Sequence, residues 1–457
     1  MRSIYGLIVC IAILLVEAPT LAGSWPTHRA DTSRSGVTEE QLKFPLKQAW
    51  LFESKYPPQP AWSGPARRDG WHKTENLKPR VIFDWAYHVV ADEDSVYFGS
   101  SSDDKVYCLD SKTGEERWAY YTDGPVRLAP TLNNGKVYVG SDDGNAYCLS
   151  AKDGSLIWRY QAAPEDYRLS GNGRVVSKWP VRTGVLIRDG IAYFGAGLFK
   201  WEGVYLCALD AETGKEIWKN KVENLTPQGY LLASPERLYF PNSRGAPLVF
   251  NRNDGSFLHQ VGGSGGTFCL LTGDMLVYGP GKVGTLDAFP EGSNDQLATF
   301  QGNQMIVTPD VSYLHTDKDI RALDRANFTR LKTIVTKLGN KINSLEKELR
   351  KTEDKESEAA KNMQADIDES REQMVQAETE LKDTLLWERP LSDPYSLILG
   401  GDTLYAGGTN EVVAISGKTG ETLWTAPVNG RALDLAIAGG DLIVSTDKGM
   451  IHCFQGE

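Results

Sequence analysis

The sequence predicts an all-β protein, an eight-bladed β-propeller of four-stranded blades with one inserted antiparallel α-helical hairpin. The first observation behind this prediction is a phrase of alternating apolar residues that recurs along the 457 residues. The second is a Gly-containing turn followed by Trp that closes most copies of the phrase. The third is a single charged segment with helical spacing that interrupts the repeat. A short unit that cannot bury its apolar face alone needs neighbouring copies, and a closed ring supplies them.

Three consecutive copies define the repeat most clearly. Their second strands are Val96–Ser100, Val137–Ser141 and Ala192–Gly195, each alternating at period two as a half-buried strand does. A third strand follows, then a Lys-Thr-Gly, Lys-Asp-Gly or Glu-Thr-Gly turn, and the fourth strand carries Trp118, Trp158 or Trp218. With the strand that precedes each phrase, every copy has four strands, named A to D from the axis outward.

Weaker copies bring the number of blades to eight. They begin near Leu238, Leu276, Val311, Leu404 and Leu442. The eighth copy stops before its Trp strand because the sequence ends there, whereas Lys47-Gln48-Ala49-Trp50 resembles Lys215-Glu216-Ile217-Trp218. We therefore expect a propeller over residues 23–457, with residues 46–53 as the closing strand D of blade 8, which removes the exposed sheet edges.

The repeat resembles a known family. The pattern Tyr-x-Gly-Ser-x-Asp-Gly-x-x-Tyr-x-Leu-Asp-x-x-Thr-Gly-x-x-x-Trp is similar to the PQQ-type β-propeller repeat of quinoprotein dehydrogenases and BamB-like proteins. The opening Trp25-Pro26-Thr27-His28-Arg29-Ala30-Asp31 also resembles the N-terminus of bacterial secreted propellers of this group. The resemblance implies the fold, and it leaves the function open because one fold hosts many functions.

The N-terminus predicts export. Met1-Arg2, the apolar run Leu7–Val16 and Thr20-Leu21-Ala22 form the pattern of a signal peptide over residues 1–22. The alternative, a membrane anchor, requires a longer apolar run. No later segment is long and apolar enough to span a bilayer, so we expect a periplasmic or secreted protein. The net charge of −11 and the lack of a basic tract argue against nucleic acid as a partner.

The insertion, residues 326–386 in blade 6, predicts a helical hairpin. It is rich in Lys, Glu and Gln, lacks Pro, and places apolar residues three and four positions apart. The insertion replaces a C–D turn, so its ends must lie side by side and a single long helix would carry them apart. Two readings stay open for its role, a docking arm for a protein partner and a solvated charged spacer.

Unusually long loops predict a binding funnel on the opposite face, over blades 8, 1, 2 and 3. In three of these blades an arginine begins strand A. Two tryptophans, an aspartate and a histidine belong to the same loops. The candidate ligand-binding residues are Arg127, Arg182, Arg431, Asp84, Trp85, His88 and Trp179. Guanidinium groups facing one cavity favour an anionic small molecule. The alternative is that each arginine pairs with a carbonyl or carboxylate and holds a loop in place.

The resemblance implies a test for enzymatic function. Quinoprotein dehydrogenases of this repeat use adjacent cysteines, a Trp and a calcium ion to hold PQQ, and no two cysteines are adjacent here. The six histidines show no metal-ligand spacing, so no metal site and no catalytic residue is predicted. We therefore expect an exported non-enzymatic propeller, without a cofactor, that serves as a ligand-binding or protein-assembly scaffold. The alternative is a PQQ-dependent oxidoreductase acting on alcohols or sugars.

Overall fold

The computed structural model describes residues 23–62, 68–69, 74–75, 80–171, 173–243, 245–263, 265–281, 284–352, 354, 357–391 and 394–456. The predicted signal peptide, residues 1–22, lies outside these residues. The chain is mostly β, with two α-helices among the described residues. Four strands come first: β1 (Val37–Thr38), β2 (Leu46–Glu53), β3 (Arg68–Asp69) and β4 (Thr74–Glu75).

Six four-stranded antiparallel sheets follow within the described part of the chain, each built from strands consecutive in sequence; a pair of helices interrupts the sixth. Sheet 1 contains β5 (Val89–Ala91), β6 (Ser95–Ser100), β7 (Lys105–Asp110) and β8 (Glu116–Tyr121). Sheet 2 contains β9 (Thr131–Asn133), β10 (Lys136–Gly140), β11 (Asn145–Ser150) and β12 (Leu156–Gln161). The strands β13 (Arg168–Gly171) and β14 (Arg174–Ser177) form a separate hairpin. Sheet 3 contains β15 (Leu186–Arg188), β16 (Ile191–Ala196), β17 (Val204–Asp210) and β18 (Glu216–Val222), with a short 3-10 helix at Lys200–Glu202.

Sheets 4, 5 and 6 repeat this arrangement. Sheet 4 contains β19 (Leu232–Ala233), β20 (Arg237–Asn242), β21 (Gly245–Asn251) and β22 (Phe257–Gln260). Sheet 5 contains β23 (Phe268–Leu271), β24 (Met275–Gly279), β25 (Thr285–Pro290) and β26 (Ala298–Gln301). Sheet 6 contains β27 (Gln304–Val307), β28 (Val311–His315), β29 (Asp319–Asp324) and, after the helices α1 (Arg325–Lys351) and α2 (Glu358–Lys382), β30 (Leu385–Pro390).

The last sheet joins two four-stranded groups through one long strand. Its strands are β31 (Ser396–Gly400), β32 (Thr403–Gly407), β33 (Thr409–Ser416), β34 (Thr422–Ala438), β35 (Asp441–Thr446) and β36 (Met450–Gly456). The first half of β34 pairs with β33 and its second half pairs with β35. The N-terminal strand β2 pairs antiparallel with β36, so the two ends of the chain share one sheet.

Tryptophan–glycine contacts join neighbouring sheets. The Trp50 ring lies where a Cβ of Gly114 would be, at 2.6 Å, and the same contact links Trp118 to Gly154. Further pairs of this kind are Trp158 with Gly214, Trp218 with Gly255 and Trp387 with Gly420. These glycines have positive φ, so both the turn and the packing of the next tryptophan favour glycine there.

The segment Trp25–Gly36 runs through the centre of the molecule. Backbone atoms of Trp25, Pro26, Thr32, Ser33 and Gly36 bond to β5, β9, β19, β23 and β31 in turn. The Arg29 side chain extends the set to β27 through the Met305 carbonyl, at 3.1 Å. Since one short segment reaches the first strand of six sheets, those strands surround it. In each of these sheets, the segment lies near the end of the first strand, where the chain turns into the second strand. It therefore closes that side of the axis.

The two helices form an antiparallel pair, because Glu346 of α1 lies 2.6 Å from Arg371 of α2 and Arg330 lies 3.9 Å from Glu380. Asp324 caps α1 by accepting from the Asn327 backbone N–H at 3.0 Å. The structure starts α1 one residue before the predicted 326 and places the last predicted residues, Leu385 and Leu386, in β30. Strand pairing with β29 resumes before the tryptophan that marked the predicted end of the insertion.

Candidate functional site

A cavity of about 290 Å³ lies on the axis above the central segment. Residues His28 and Arg29 of that segment form its floor. The walls come from the loops that lead into the first strands, and they mix aromatic, basic and apolar side chains. Representative wall residues are Phe83, Trp85, Tyr230, Phe268, Tyr395 and Arg431. The cavity therefore lies at the convergence of several sheets, where propeller loops can be varied without altering the framework.

Three of the seven predicted residues line this cavity: Trp85, His88 and Arg431. The Arg431 guanidinium carbon lies 4.7 Å from the centre of the Trp85 ring and 5.7 Å from that of Tyr395. Its Nε donates to Asp447 at 3.0 Å. The arginine is half-buried, so a cation held between two aromatic rings faces the cavity.

Three others form a separate buried ion cluster, and this corrects the expectation of a single funnel. Arg127 Nε and Arg182 Nε donate to the two oxygens of Asp142 at 2.6 and 2.7 Å. Arg127 also contacts Asp84 at 3.2 Å and donates to the Gln59 carbonyl at 2.6 Å. Both guanidinium groups are thus engaged by a protein carboxylate, and Arg127 also holds Gln59 and Asp84 of the segment before sheet 1, which agrees with the alternative left open by the sequence.

Opposing effects act on the carboxylates of this cluster. Burial would raise the pKa of Asp142, but the Arg182 and Arg127 guanidinium groups outweigh it and hold that pKa below its usual value. For Asp84 burial is the larger effect, so its pKa is raised despite Arg127.

Trp179, the seventh predicted residue, lies apart from both groups. Its ring is buried against Tyr205, with centroids 6.4 Å apart, and its Nε1 donates to the Glu202 carbonyl at 3.2 Å. The side chain secures the long loop before sheet 3 and does not line the axial cavity.

The cavity holds one group of residues that the sequence did not predict. His28, His88 and Asp434 each offer one ligand atom within 4.8 Å of the others, a grouping that could hold a metal ion. The Asp434 Oδ1 atom lies 3.0 Å from His88 Nδ1 and 4.0 Å from His28 Nδ1. Of this group, only His88 was among the predicted site residues, as part of an anion funnel. The sequence predicted no metal site because its histidines lack metal-ligand spacing, and the fold nevertheless brings two of them together with Asp434.

The surroundings fix the orientation of each side chain in this group. The Asp434 Oδ2 atom accepts from the Val89 backbone N–H at 2.8 Å. The His28 ring is stacked on Tyr230 with centroids 3.6 Å apart. Burial lowers the pKa of His28 well below its usual value, and the nearby His88, Arg34 and Arg29 lower it further. At neutral pH the His28 imidazole is therefore uncharged.

Spacing along the chain gave no signal for this group, because its members come from three distant segments. His28 lies in the central segment, His88 precedes β5, and Asp434 belongs to β34. Only the ring closure and the path of residues 25–36 along the axis bring them together. The N-terminus resembles that of other secreted propellers, but this resemblance does not predict where His28 lies in the fold.

The sequence also matches a known family model over part of its length. The model described as outer membrane protein assembly factor BamB, a model of PQQ-type repeats, matches residues 61–190 and 371–456, just under half of the chain. No curated protein matches the chain in sequence.

Solved structures share the fold at low identity. A quinohemoprotein alcohol dehydrogenase from Pseudomonas putida HK5 superposes with a TM-score of 0.60 and 12% identity, over 95% of this chain and 80% of that one. A europium-containing methanol dehydrogenase gives 0.59 and 11%, over 95% and 98%. The computationally designed Ika8 protein gives 0.56 and 11%, over 81% and 96%. Among the described residues, no helix has the length and apolar character needed to cross a membrane.

Proposed function

Because this chain is a member of the PQQ-type β-propeller repeat family, we propose that it is an exported, non-enzymatic propeller that binds a small anionic ligand in its axial cavity. The proposal includes export through residues 1–22 to the periplasm or beyond, on the sequence pattern described above. It also includes a ring of eight blades over residues 23–457. Six four-stranded sheets, the two groups joined by β34, and the pairing of β2 with β36 support that ring.

The single observation that carries the ligand proposal is the position of Arg431. Its guanidinium lies between the rings of Trp85 and Tyr395 at the wall of a 290 Å³ cavity. A cation held this way pairs with a carboxylate or phosphate while the two rings pack against an apolar or aromatic ligand body. The cavity size suits a metabolite and not a polymer, since small-molecule sites are concave and of a few hundred Å³.

Mass spectrometry of the protein isolated from the organism that makes it tests the proposal. Small molecules released on denaturation would be compared between wild type and Arg431→Gln. Arg168→Gln is the matched control, because Arg168 also pairs with an aspartate, Asp166 at 2.6 Å, and is not among the residues that line the cavity. We expect one anionic compound from wild type and Arg168→Gln and its loss from Arg431→Gln. Recovery of the same compound from Arg431→Gln, or of none from any variant, would contradict the proposal.

A PQQ-dependent oxidoreductase is the second candidate, favoured by the cationic and aromatic cavity and by the fold shared with dehydrogenases. The residues at the floor fit that cofactor poorly. Calcium takes six to eight oxygen ligands, whereas the donor set here is two imidazoles and one carboxylate. The five described cysteines are free and buried, and they lie in or at the sheets, not over the cavity. Adding PQQ and calcium to the purified protein, with alcohols or aldose sugars and a redox dye, distinguishes the two candidates. Dye reduction would support the oxidoreductase.

The helical pair supports a further role as a docking arm for a protein partner. Its base is held to the propeller by stacking of Phe328 on Phe300 at 5.3 Å and by the Arg325–Asp274 ion pair at 2.5 Å. At 1.5 Å per residue α1 is about 40 Å long, so the far end of the helical pair extends beyond the sheets. Val375 on α2 is exposed. A fixed, projecting pair of helices is more useful for contacting a partner than a flexible spacer would be.

Deletion of residues 326–383 tests the docking role. Asp324 N–H donates to the Thr384 carbonyl at 2.8 Å, so an Asn-Gly turn can join the two cut ends without moving the strands. Proteins captured from the periplasm would be compared between this variant, wild type and Arg431→Gln, which keeps the helices. We expect one partner to be lost with the helices alone. Identical sets of captured proteins would exclude the docking role.

A further inference from the structure

Three potential metal ligands meet at the floor of the axial cavity, and each comes from a different part of the ring. His28 belongs to the central segment, His88 to the loop before β5 and Asp434 to the long strand β34. All three side chains also line the cavity, so the space beside them is open to a ligand. A site assembled from three elements exists only when the propeller is closed around residues 25–36.

Ring nitrogens in this group lack the hydrogen bonds that buried polar atoms normally make. Among the described residues, His28 Nδ1 and His88 Nε2 have no hydrogen-bond partner, although both atoms are shielded from solvent. His88 Nδ1 lies 3.0 Å from Asp434 in the ion pair but is not in hydrogen-bonding geometry with it. Buried polar atoms without partners are rare, and a bound ion is one of the few explanations for several in one place.

The distances between the donor atoms suit a small ion. Zinc binds imidazole nitrogen and carboxylate oxygen at about 2.0–2.2 Å, so two ligands of a tetrahedral ion stand roughly 3.4 Å apart. The separations of 3.0 and 4.0 Å between Asp434 Oδ1 and the two imidazole nitrogens lie on either side of that value. Small side-chain rotations would equalise them.

The chemistry of the donors selects the class of metal. Two imidazoles and one carboxylate match zinc and other first-row divalent ions, whereas calcium and magnesium require mainly oxygen ligands. The second oxygen of Asp434 is held by the Val89 N–H at 2.8 Å, and His28 is held by stacking on Tyr230. Such outer contacts orient metal ligands. Three protein ligands also leave a coordination position that points into the cavity.

We infer that His28, His88 and Asp434 bind one first-row divalent transition ion at the floor of the axial cavity, with an open position for an oxygen atom of the bound ligand. The oxygen ligand supplied by a bound molecule rests on the proposed function, whereas the metal site itself does not. The ion would face the anionic ligand from below while Arg431 faces it from the wall.

Titration of tag-free protein with Co²⁺ alone tests the site, because the visible absorption of cobalt reports both binding and geometry. We expect one Co²⁺ per chain, displaced by Zn²⁺ and unaffected by excess Ca²⁺. Asp434→Asn and His88→Gln should weaken binding at least tenfold. His315→Gln is the matched control, since His315 lines the same cavity outside this group.

Two results would overturn the inference: no stoichiometric Co²⁺ binding by folded wild-type protein, or unchanged binding by Asp434→Asn. Asp434→Asn keeps an oxygen for the Val89 N–H, and thermal melts verify its folding. No organic ligand is present in this titration, so its failure would count against the metal and not against the cavity. Loss of the released compound in Arg431→Gln with normal Co²⁺ binding would support both sites separately.

Discussion

At the residue scale, two kinds of arginine must be distinguished in this propeller. Arg127 and Arg182 share the buried carboxylate of Asp142, with side chains almost wholly shielded from solvent. Arg431 is half-buried and stacked between rings at the cavity wall. All three begin a first strand in the sequence, so the local pattern was the same. Arg431 also pairs with an aspartate between a second and a third strand, Asp447 at 3.0 Å, but its side chain is 33% exposed, whereas two buried arginines share Asp142.

Removing Asp142 should be costly. Asp142→Ala leaves two buried guanidinium groups without their shared partner, which predicts a loss of about 3–5 kcal/mol in the free energy of unfolding. The matched control is Asp166→Ala, which breaks the exposed pair with Arg168 and should cost less than about 1 kcal/mol. Urea titrations of both variants measure this. Equal stability of the two variants would show that the cluster does not hold the loop.

The buried His452 predicts a pH dependence of stability. Burial lowers its pKa to about 4, and its Nδ1 lies 2.9 Å from Gln48 Oε1 on the closing strand β2. In the unfolded chain the His452 side chain has a pKa near 6.5. Between pH 4 and 6.5, the unfolded chain therefore binds more protons at this residue than the folded chain does. The contribution of neutral His452 to the free energy of unfolding is therefore fully present above about pH 6.5. It is lost as the pH drops toward 4, by up to about 3 kcal/mol.

His452→Gln tests this assignment, because glutamine can bond to Gln48 but does not titrate. Unfolding measured from pH 7.5 to 4 should show a shallower loss of stability in the variant than in wild type. Parallel curves for the two proteins would refute a contribution from His452. His259→Gln is a control on an outer strand, where the ring is less buried.

At the element scale, the closing strand β2 repeats the role of the fourth strand in the other sheets. Trp50 is buried, packs on Gly114 of sheet 1 and donates its Nε1–H to the Ser111 carbonyl at 2.8 Å. Trp118 makes the corresponding bond to Ala151 at 3.0 Å. The Trp50 contact, which joins the last group of strands to sheet 1, therefore has the same form as the tryptophan–glycine contacts between the other sheets.

Trp50→Ala should lower the free energy of unfolding by about 3–5 kcal/mol, the cost of truncating a buried aromatic side chain. The control must be a tryptophan that is exposed. Trp201, which is 74% exposed, is the suitable one, and Trp201→Ala should change stability little. Thermal melts compare them, and a Trp50→Ala variant as stable as wild type would refute closure through β2.

A glycine pair tests the same contact from the other side. Gly114 and Gly135 have similar positive φ values, 72° and 68°, so an added Cβ strains both turns alike. At Gly114 the Cβ would also meet the Trp50 ring at 2.6 Å, whereas nothing lies within 4 Å at Gly135. Gly114→Ala should therefore cost about 1–3 kcal/mol more than Gly135→Ala in chemical denaturation. Equal costs would mean that Trp50 is free to move away.

The elements could largely be read from the sequence, and the central segment could not. Val96–Ser100 alternates strongly and falls in β6, and the polar insertion falls in two helices. Residues 25–36 show no periodicity, because their backbone bonds go to many strands in turn and not to one neighbour. Arg29 likewise bonds to backbone carbonyls, which leave no trace in the charge pattern. The site was half-predicted for this reason: Trp85, His88 and Arg431 came from wall loops, and His28 came from the segment with no signal.

At the scale of the whole molecule, the shape of the axial cavity depends on the pairing of the two chain ends. The pairing of β2 with β36 brings Asp434 near His88, and the central segment then supplies the floor of the cavity. The helical pair emerges from the connection between the third and fourth strands of sheet 6. That connection lies on the side closed by residues 25–36, opposite the cavity. Ligand binding and partner docking would therefore use opposite faces of one rigid ring.

A crystal structure of the protein isolated from the organism that makes it is the sharpest test of whether the axial cavity binds a ligand. We predict electron density for a compact anionic molecule enclosed by Trp85, Tyr395 and Arg431, above the His28–His88–Asp434 floor. Density for ordered water alone, in crystals of protein that was never denatured or dialysed against competing anions, would contradict the account.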